Sequence, residues 1–171
     1  GIPGHHMQGS ISQEQTGLPK FRRYGGYTAY SEGWGLYSEY IPKEMGLYED
    51  PYSDFGRLSM ELWRACRLVV DTGLQAQGWS REKATSYLTA NTASNESANL
   101  KAIERYMVMP GQATAYKIGM LKILELREKA RASLGDKFDI RAFHEVVLSN
   151  GAVPLNVLED LVNDWVASTQ G

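Results

Sequence analysis

The sequence predicts an all-α fold. Apolar residues recur at helical spacing along most of the chain, the period-two alternation of a strand is absent, and Gly, Pro, Ser and Asn punctuate the periodic runs at short intervals. About seven or eight helices with short connections are expected. Tyr27, Tyr30, Trp34, Tyr37 and Ile41 fall at i, i+3, i+7, i+10 and i+14, an aromatic stripe on a helix over 28–47 that Pro42 kinks or ends. Leu58, Leu62, Ala65, Cys66 and Val69 mark the apolar face of a long helix over 53–77, with Gly78 suited to its C-cap. Ser80 caps a short helix over 81–90, and the polar linker 91–95 leads to a helix over 95–108 that stops at Pro110. The next helix, 111–134, carries Tyr116, Met120, Ile123, Leu124 and Ala130 on one side, with Gly135 after it. Asp139 caps a helix over 140–149, Asn150-Gly151 makes a turn, and Pro154 opens a last helix over 154–168 with Leu158, Leu161, Val162, Trp165 and Val166 inward. The Gly- and Pro-containing segment 9–26 reads as the one longer loop, and the whole of 1–171 reads as a single helical domain.

Composition limits function. The 171 residues are 43% hydrophobic and 22% charged, average for a globular domain and unlike a disordered chain. A net charge of −2 gives no strong positive field for a nucleic-acid backbone, so no nucleic-acid partner is expected. No apolar run approaches the roughly 18 residues of a membrane span. The single cysteine, Cys66, forms no intramolecular disulfide and no Cys-rich zinc site, and it reads as packing.

Three polar features exceed what a plain helical bundle needs. Pro3-Gly4-His5-His6 opens the chain. Glu32 stands in Ser-Glu-Gly-Trp-Gly-Leu-Tyr, on a helix otherwise rich in tyrosine. Arg67, Asp71 and Gln75, at i, i+4 and i+8, share one face of the longest helix. A catalytic zinc takes three His or carboxylate ligands and keeps an open position, and His5 and Glu32 are suitable donors, although two ligands alone make no such site. The bland reading of the same residues is a loop histidine, a solvated glutamate and an i,i+4 ion pair. Arg67 and Asp71 are expected to form a partly buried pair, His144 to be a structural histidine, and His6 to be exposed.

Five segments in order, GIPGHHMQ, YSEGWGLYSEY, RACRLVVDTGLQAQGWSREKA, ERYMVMPGQATAYKIG and FHEVVLSNGAVPLNVLE, resemble the bacterial domain of unknown function 885 family, which is grouped by fold with gluzincin-type zinc peptidases. The family's first motif reads His-Glu-x-x-Pro-Gly-His-x-x-Gln. Pro3, Gly4, His5 and Gln8 match it, Gly1 and Ile2 take its variable positions, and its His-Glu pair falls immediately before Gly1. The resemblance therefore implies the C-terminal half of a gluzincin-like helical fold, and a chain that is the C-terminal part of a longer protein. It implies zinc, with His5 and Glu32 as ligands. The upstream His would be a further ligand, and the upstream Glu the general base for an attacking water. It places Arg105 or Tyr116 as hydrogen-bond donors to the developing oxyanion, with Tyr106 and Lys117 as neighbouring candidates. Gln112, after Pro110 and Gly111 at a helix start, would hold a substrate carboxylate, and Arg67, Asp71 and Gln75 would line the substrate wall. The family often has histidine at Gln75. The implied activity is zinc-dependent hydrolysis of a peptide or related amide by a protein exported or lipid-anchored in bacteria. In this chain the site is incomplete without the upstream part. The alternative is a non-catalytic helical binding module on the same fold.

Overall fold

The computed structural model describes residues 3–171; Gly1 and Ile2, the variable positions of the first motif, lie outside the described residues. Among these residues the chain is all-α, with no strand. Its helices are α1 (His5–Glu14), α2 (Lys20–Tyr24), α3 (Thr28–Glu44), α4 (Pro51–Ala76), α5 (Arg81–Asn91), α6 (Glu96–Val108), α7 (Gln112–Leu134), a single 3-10 turn (Gly135–Lys137), α8 (Ile140–Leu148) and α9 (Leu155–Gln170). None of them is long and apolar enough to cross a membrane.

Helix starts are set by side chains that accept from otherwise orphaned amides. Asp50 accepts from Tyr52 N at 3.2 Å and Ser53 N at 3.1 Å, with Pro51 in the first turn of α4. Ser80 accepts from Lys83 N, Asn95 from Ala98 N and Asp139 from Arg141 N, opening α5, α6 and α8. Helix α4 closes at Gly78, whose φ of +63° is the left-handed region that favours glycine. Pro42 sits within the last turn of α3, where few backbone bonds remain to be lost.

Two expectations are corrected. The segment 9–26 is not a loop: α1 runs through Gly9, and α2 occupies Lys20–Tyr24. Neither helix has a side-chain cap at its start, so nothing in the sequence announces them. Their ends are held from elsewhere, by Ser12 Oγ donating to the Arg23 carbonyl at 3.0 Å and Ala152 N donating to the Arg22 carbonyl at 3.1 Å. On α4 the buried face is rotated from the one expected. Cys66 and Val70 are buried, whereas Leu58, Leu62 and Val69 are exposed. The packed stripe runs Trp63, Cys66, Val70, Leu74, a helical spacing as regular as the other.

The chain divides into two compact units. One comprises residues up to Ser38 with Ile118–Gly171, and its core holds Trp34, Tyr37, Met120, Ile123, Phe143, Val147, Leu158 and Val162. Within it α3 and α7 touch backbone to backbone: a Cβ on Gly33 would lie 2.5 Å from Gly119 Cα. The other unit, Glu39–Lys117, packs Cys66, Val70, Ala84, Leu88, Ile103, Tyr106 and Ala113 together, with Trp63, Leu74, Trp79 and Tyr87 against them. Burial raises the Cys66 thiol above its ordinary pKa, as expected of inert packing.

Candidate functional site

In the first unit four consecutive residues of α3 meet three neighbours, with Glu32 and Gly35 sharing His5. Glu32 Oε2 lies 3.0 Å from His5 Nε2. Gly33 is the close approach to Gly119. Trp34 Nε1 donates to the Pro3 carbonyl at 3.0 Å and holds the Pro-Gly-His turn against the helix. Gly35 leaves room for the imidazole, because a Cβ there would sit 2.7 Å from His5 Cε1 and 2.8 Å from Nε2. The folded-back α1 thus brings His5 and Glu32 together, although 27 residues separate them in sequence.

The other ring nitrogen is held as well. His5 Nδ1 lies 3.2 Å from Gln8 Oε1, one helical turn along α1. A carbonyl oxygen only accepts, so Nδ1 donates to it and Nε2 is the nitrogen turned toward the carboxylate. Ligands about 2.0–2.2 Å from a tetrahedral zinc ion lie about 3.3–3.6 Å apart, so at 3.0 Å the two groups are in direct contact and would open by a few tenths of an ångström to take an ion between them. His5, oriented by Gln8, and Glu32 could supply two ligands of such a site. No group of three or more His, Cys, Asp or Glu among the described residues is arranged to hold a metal. A cavity of about 210 Å³ opens beside His5, Gln8, Ser12, Arg23, Tyr30 and Ser31.

Behind this pair lies a buried polar cluster. The Tyr37 hydroxyl is 2.8 Å from His144 Nε2, and Arg127 Nη1 donates to the same hydroxyl at 3.2 Å. The hydroxyl thus joins the guanidinium and the imidazole in one hydrogen-bonded cluster. The His144 ring meets Trp34 edge-on, with centroids 5.5 Å apart. The Tyr30 hydroxyl donates to the Val147 carbonyl at 2.8 Å, and burial raises that phenol's pKa well above its ordinary value. His6 is exposed.

The second unit holds the remaining candidates. Arg67, Arg105, Gln112 and Tyr116 share the lining of a cavity of about 260 Å³ with Lys101 and Tyr106. The Arg67 guanidinium lies over Tyr116 at 5.1 Å, Tyr106 at 5.5 Å and Trp63 at 5.8 Å, and Arg64 lies over Tyr116 at 4.8 Å. Gln112 Nε2 is 3.4 Å from the Tyr116 hydroxyl.

Asp71 and Gln75 do not line this cavity. The expected Arg67–Asp71 pair does not form. Asp71 Oδ2 instead accepts from Gly111 N at 3.0 Å, fixing the turn between α6 and α7, while aromatic rings hold Arg67. Gln75 Nε2 donates to the Tyr106 carbonyl at 2.9 Å, tying α4 to α6. Lys117 pairs with Glu61 at 2.6 Å. Sequence reasoning gave no role to Gly35, Gln8 or Lys101. The first two stand inside the motifs that drew attention to His5 and Glu32, so their positions were the available signal.

An all-helical fold with a His–carboxylate pair held between its first and third helices defines a class. The particular family follows from sequence comparison: residues 1–162 match a bacterial protein family of unknown function, DUF885, and the chain belongs to it. No curated protein matches the chain significantly. Among solved structures it is similar to a candidate lipoprotein from Colwellia psychrerythraea, at 55% identity and a TM-score of 0.96 over 98% of this chain. It is also similar to a candidate lipoprotein of unknown function from Shewanella oneidensis, at 25% identity and a TM-score of 0.86 over 95% of this chain. The chain spans 29% and 30% of the lengths of those two proteins.

Proposed function

We propose that this chain forms part of a gluzincin-type zinc peptidase. The observation that carries the reading is the 3.0 Å approach of His5 Nε2 to Glu32 Oε2, with Gly35 shaped to admit the ring. Zinc, when bound, would polarise the scissile carbonyl and lower the pKa of a water toward neutrality. His5 would offer Nε2 to the ion because Gln8 occupies Nδ1, and such a partner typically strengthens a histidine ligand. Glu32 would supply a charged oxygen. A His-Glu pair ahead of Gly1 in the full-length protein would complete the ligand set and provide the base. The substrate would be a peptide or peptide-like amide. The similarity to candidate lipoproteins supports an exported or lipid-anchored protein.

The full-length protein tests this reading. Peptide hydrolysis that stops with chelator and returns with zinc is expected, and Glu32→Gln should retain the fold while losing zinc and most activity. Unchanged zinc content and rate in Glu32→Gln would remove Glu32 from the site. Absence of hydrolysis in a zinc-loaded wild type would favour the helical binding module, the reading that the second unit's cationic cavity supports on its own.

A further inference from the structure

The cavity in the second unit is built with more positive charge than the protein neutralises. Arg67, Lys101 and Arg105 line it, and no Asp or Glu does. Among the described residues neither Arg64 nor Arg67 has a carboxylate within ion-pair distance, and the buried Nε of Arg67 and the Nε and Nη1 of Arg64 have no hydrogen-bond partner. Burial of Arg64, and then repulsion by Arg67, pull the Arg64 pKa below its ordinary value, against the attraction of Glu39. A desolvated guanidinium with unfilled donors is costly unless a counter-charge arrives. The aromatic rings around Arg67 stack on its face, while its Nε stays without a partner.

We propose that this cavity is an oxyanion-binding site that receives a carboxylate or phosphate group, with Arg67 and Arg105 as direct partners and Lys101 adding attraction. The guanidinium fork matches two oxygens of either anion. At about 260 Å³ the cavity is smaller than the roughly 300–1,000 Å³ that encloses a drug-sized ligand, so it suits one charged group and little of what bears it. Tyr106 and Tyr116 offer apolar walls to the adjoining atoms. The site stands on its own residues and does not depend on the metal reading.

Isothermal titration of the 171-residue chain tests it with three probes: an N-acetylated dipeptide with a free C-terminal carboxylate, the same dipeptide as its C-terminal amide, and inorganic phosphate. Saturable binding of at least one oxyanion probe, with no binding of the amide, is expected. Preference for the dipeptide acid identifies a peptide carboxylate as the natural group, and preference for phosphate identifies a phosphorylated ligand. Binding should weaken about tenfold or more in Arg105→Gln, as a lost charge-assisted contact does, and between about 10 mM and 150 mM salt. Arg105 is exposed, so its replacement leaves the fold intact. Arg67→Lys keeps the charge but removes the fork, and it should weaken binding comparably with the far-ultraviolet circular dichroism unchanged. No saturable binding of either oxyanion probe, equal binding of the amide, or undiminished affinity in both variants would overturn the proposal.

Discussion

Gly35 shows how one missing methyl group serves a site. A Cβ there would lie 2.7 Å from the His5 ring, and no backbone atom of another segment comes as near. The fold has no other need of glycine at position 35, where alanine is ordinarily better by about 0.5–1 kcal/mol. Gly35→Ala is therefore expected to keep or raise the melting temperature while pushing the imidazole away from Glu32. The check pairs a thermal melt with the ring resonances of His5, which should lose their response to Glu32→Gln. An unchanged His5 environment in Gly35→Ala would show that this glycine does not seat the ring.

At the scale of elements, the glycine two residues earlier should behave in the opposite way. Gly33 faces backbone: its Cβ would meet Gly119 Cα at 2.5 Å and C at 2.6 Å, and a Cβ on Gly119 would meet the Ala29 carbonyl oxygen at 1.9 Å. Backbone cannot swing aside as a side chain can, so Gly33→Ala must force α3 and α7 apart. Overpacking of this kind costs typically about 1–3 kcal/mol, and each kcal/mol lowers the melting temperature of a chain this size by about 2–4 °C. Denaturant titration of the variant reads the loss directly. Stability within about 0.5 kcal/mol of wild type would mean that the two helices can separate without penalty.

On the scale of the molecule, a net charge of −2 conceals an ordered line of charges in the second unit. Lys43 meets Asp54 at 2.6 Å, Asp54 meets Arg57 at 2.9 Å, Arg57 meets Glu61 at 2.9 Å, and Glu61 meets Lys117 at 2.6 Å. The hydrogen bond from Lys43, then that from Arg57, holds the Asp54 carboxyl below its ordinary pKa. A depressed folded-state pKa contributes stability above the unfolded value, and that stability is lost as pH falls through the folded value. The wild type should therefore exceed Asp54→Asn in melting temperature at pH 7, and the gap should close below about pH 4. A gap independent of pH would trace the effect to lost packing and not to charge.

Sequence signals reached those parts of the molecule whose cause is local. Ser80, Asn95 and Asp139 announce α5, α6 and α8 because a cap is a contact within three residues, and the boundaries fall within a residue or two of expectation. The helices α1 and α2 were not legible, since they start without caps and are held by Arg22, Arg23 and Ala152 across long separations. The buried face of α4 could not be chosen between two apolar stripes until its partners were in place. Asp71 illustrates the same limit within a site. Spacing put Arg67 in reach, but the amide of Gly111, 40 residues on, takes the carboxylate. The motifs did point to His5 and Glu32, whose meeting depends on the fold of the segment between them.

The run Glu32-Gly33-Trp34-Gly35 also dictates where the chain can change length. An α-helix turns about 100° per residue, so four successive positions look in four directions, and each here has a fixed destination. Deleting one residue between Thr28 and Ser31 would turn the whole run by that angle. Glu32 would leave His5, the indole would leave the Pro3 carbonyl, and a side chain would stand where α7 requires none. The link Gln15–Pro19 between α1 and α2 carries no such phase, because a loop absorbs an added residue at little cost. Insertions should therefore be tolerated at 15–19 and rejected at 28–35, so that the spacing from His5 to Glu32 can drift while the helical phase of Glu32 cannot.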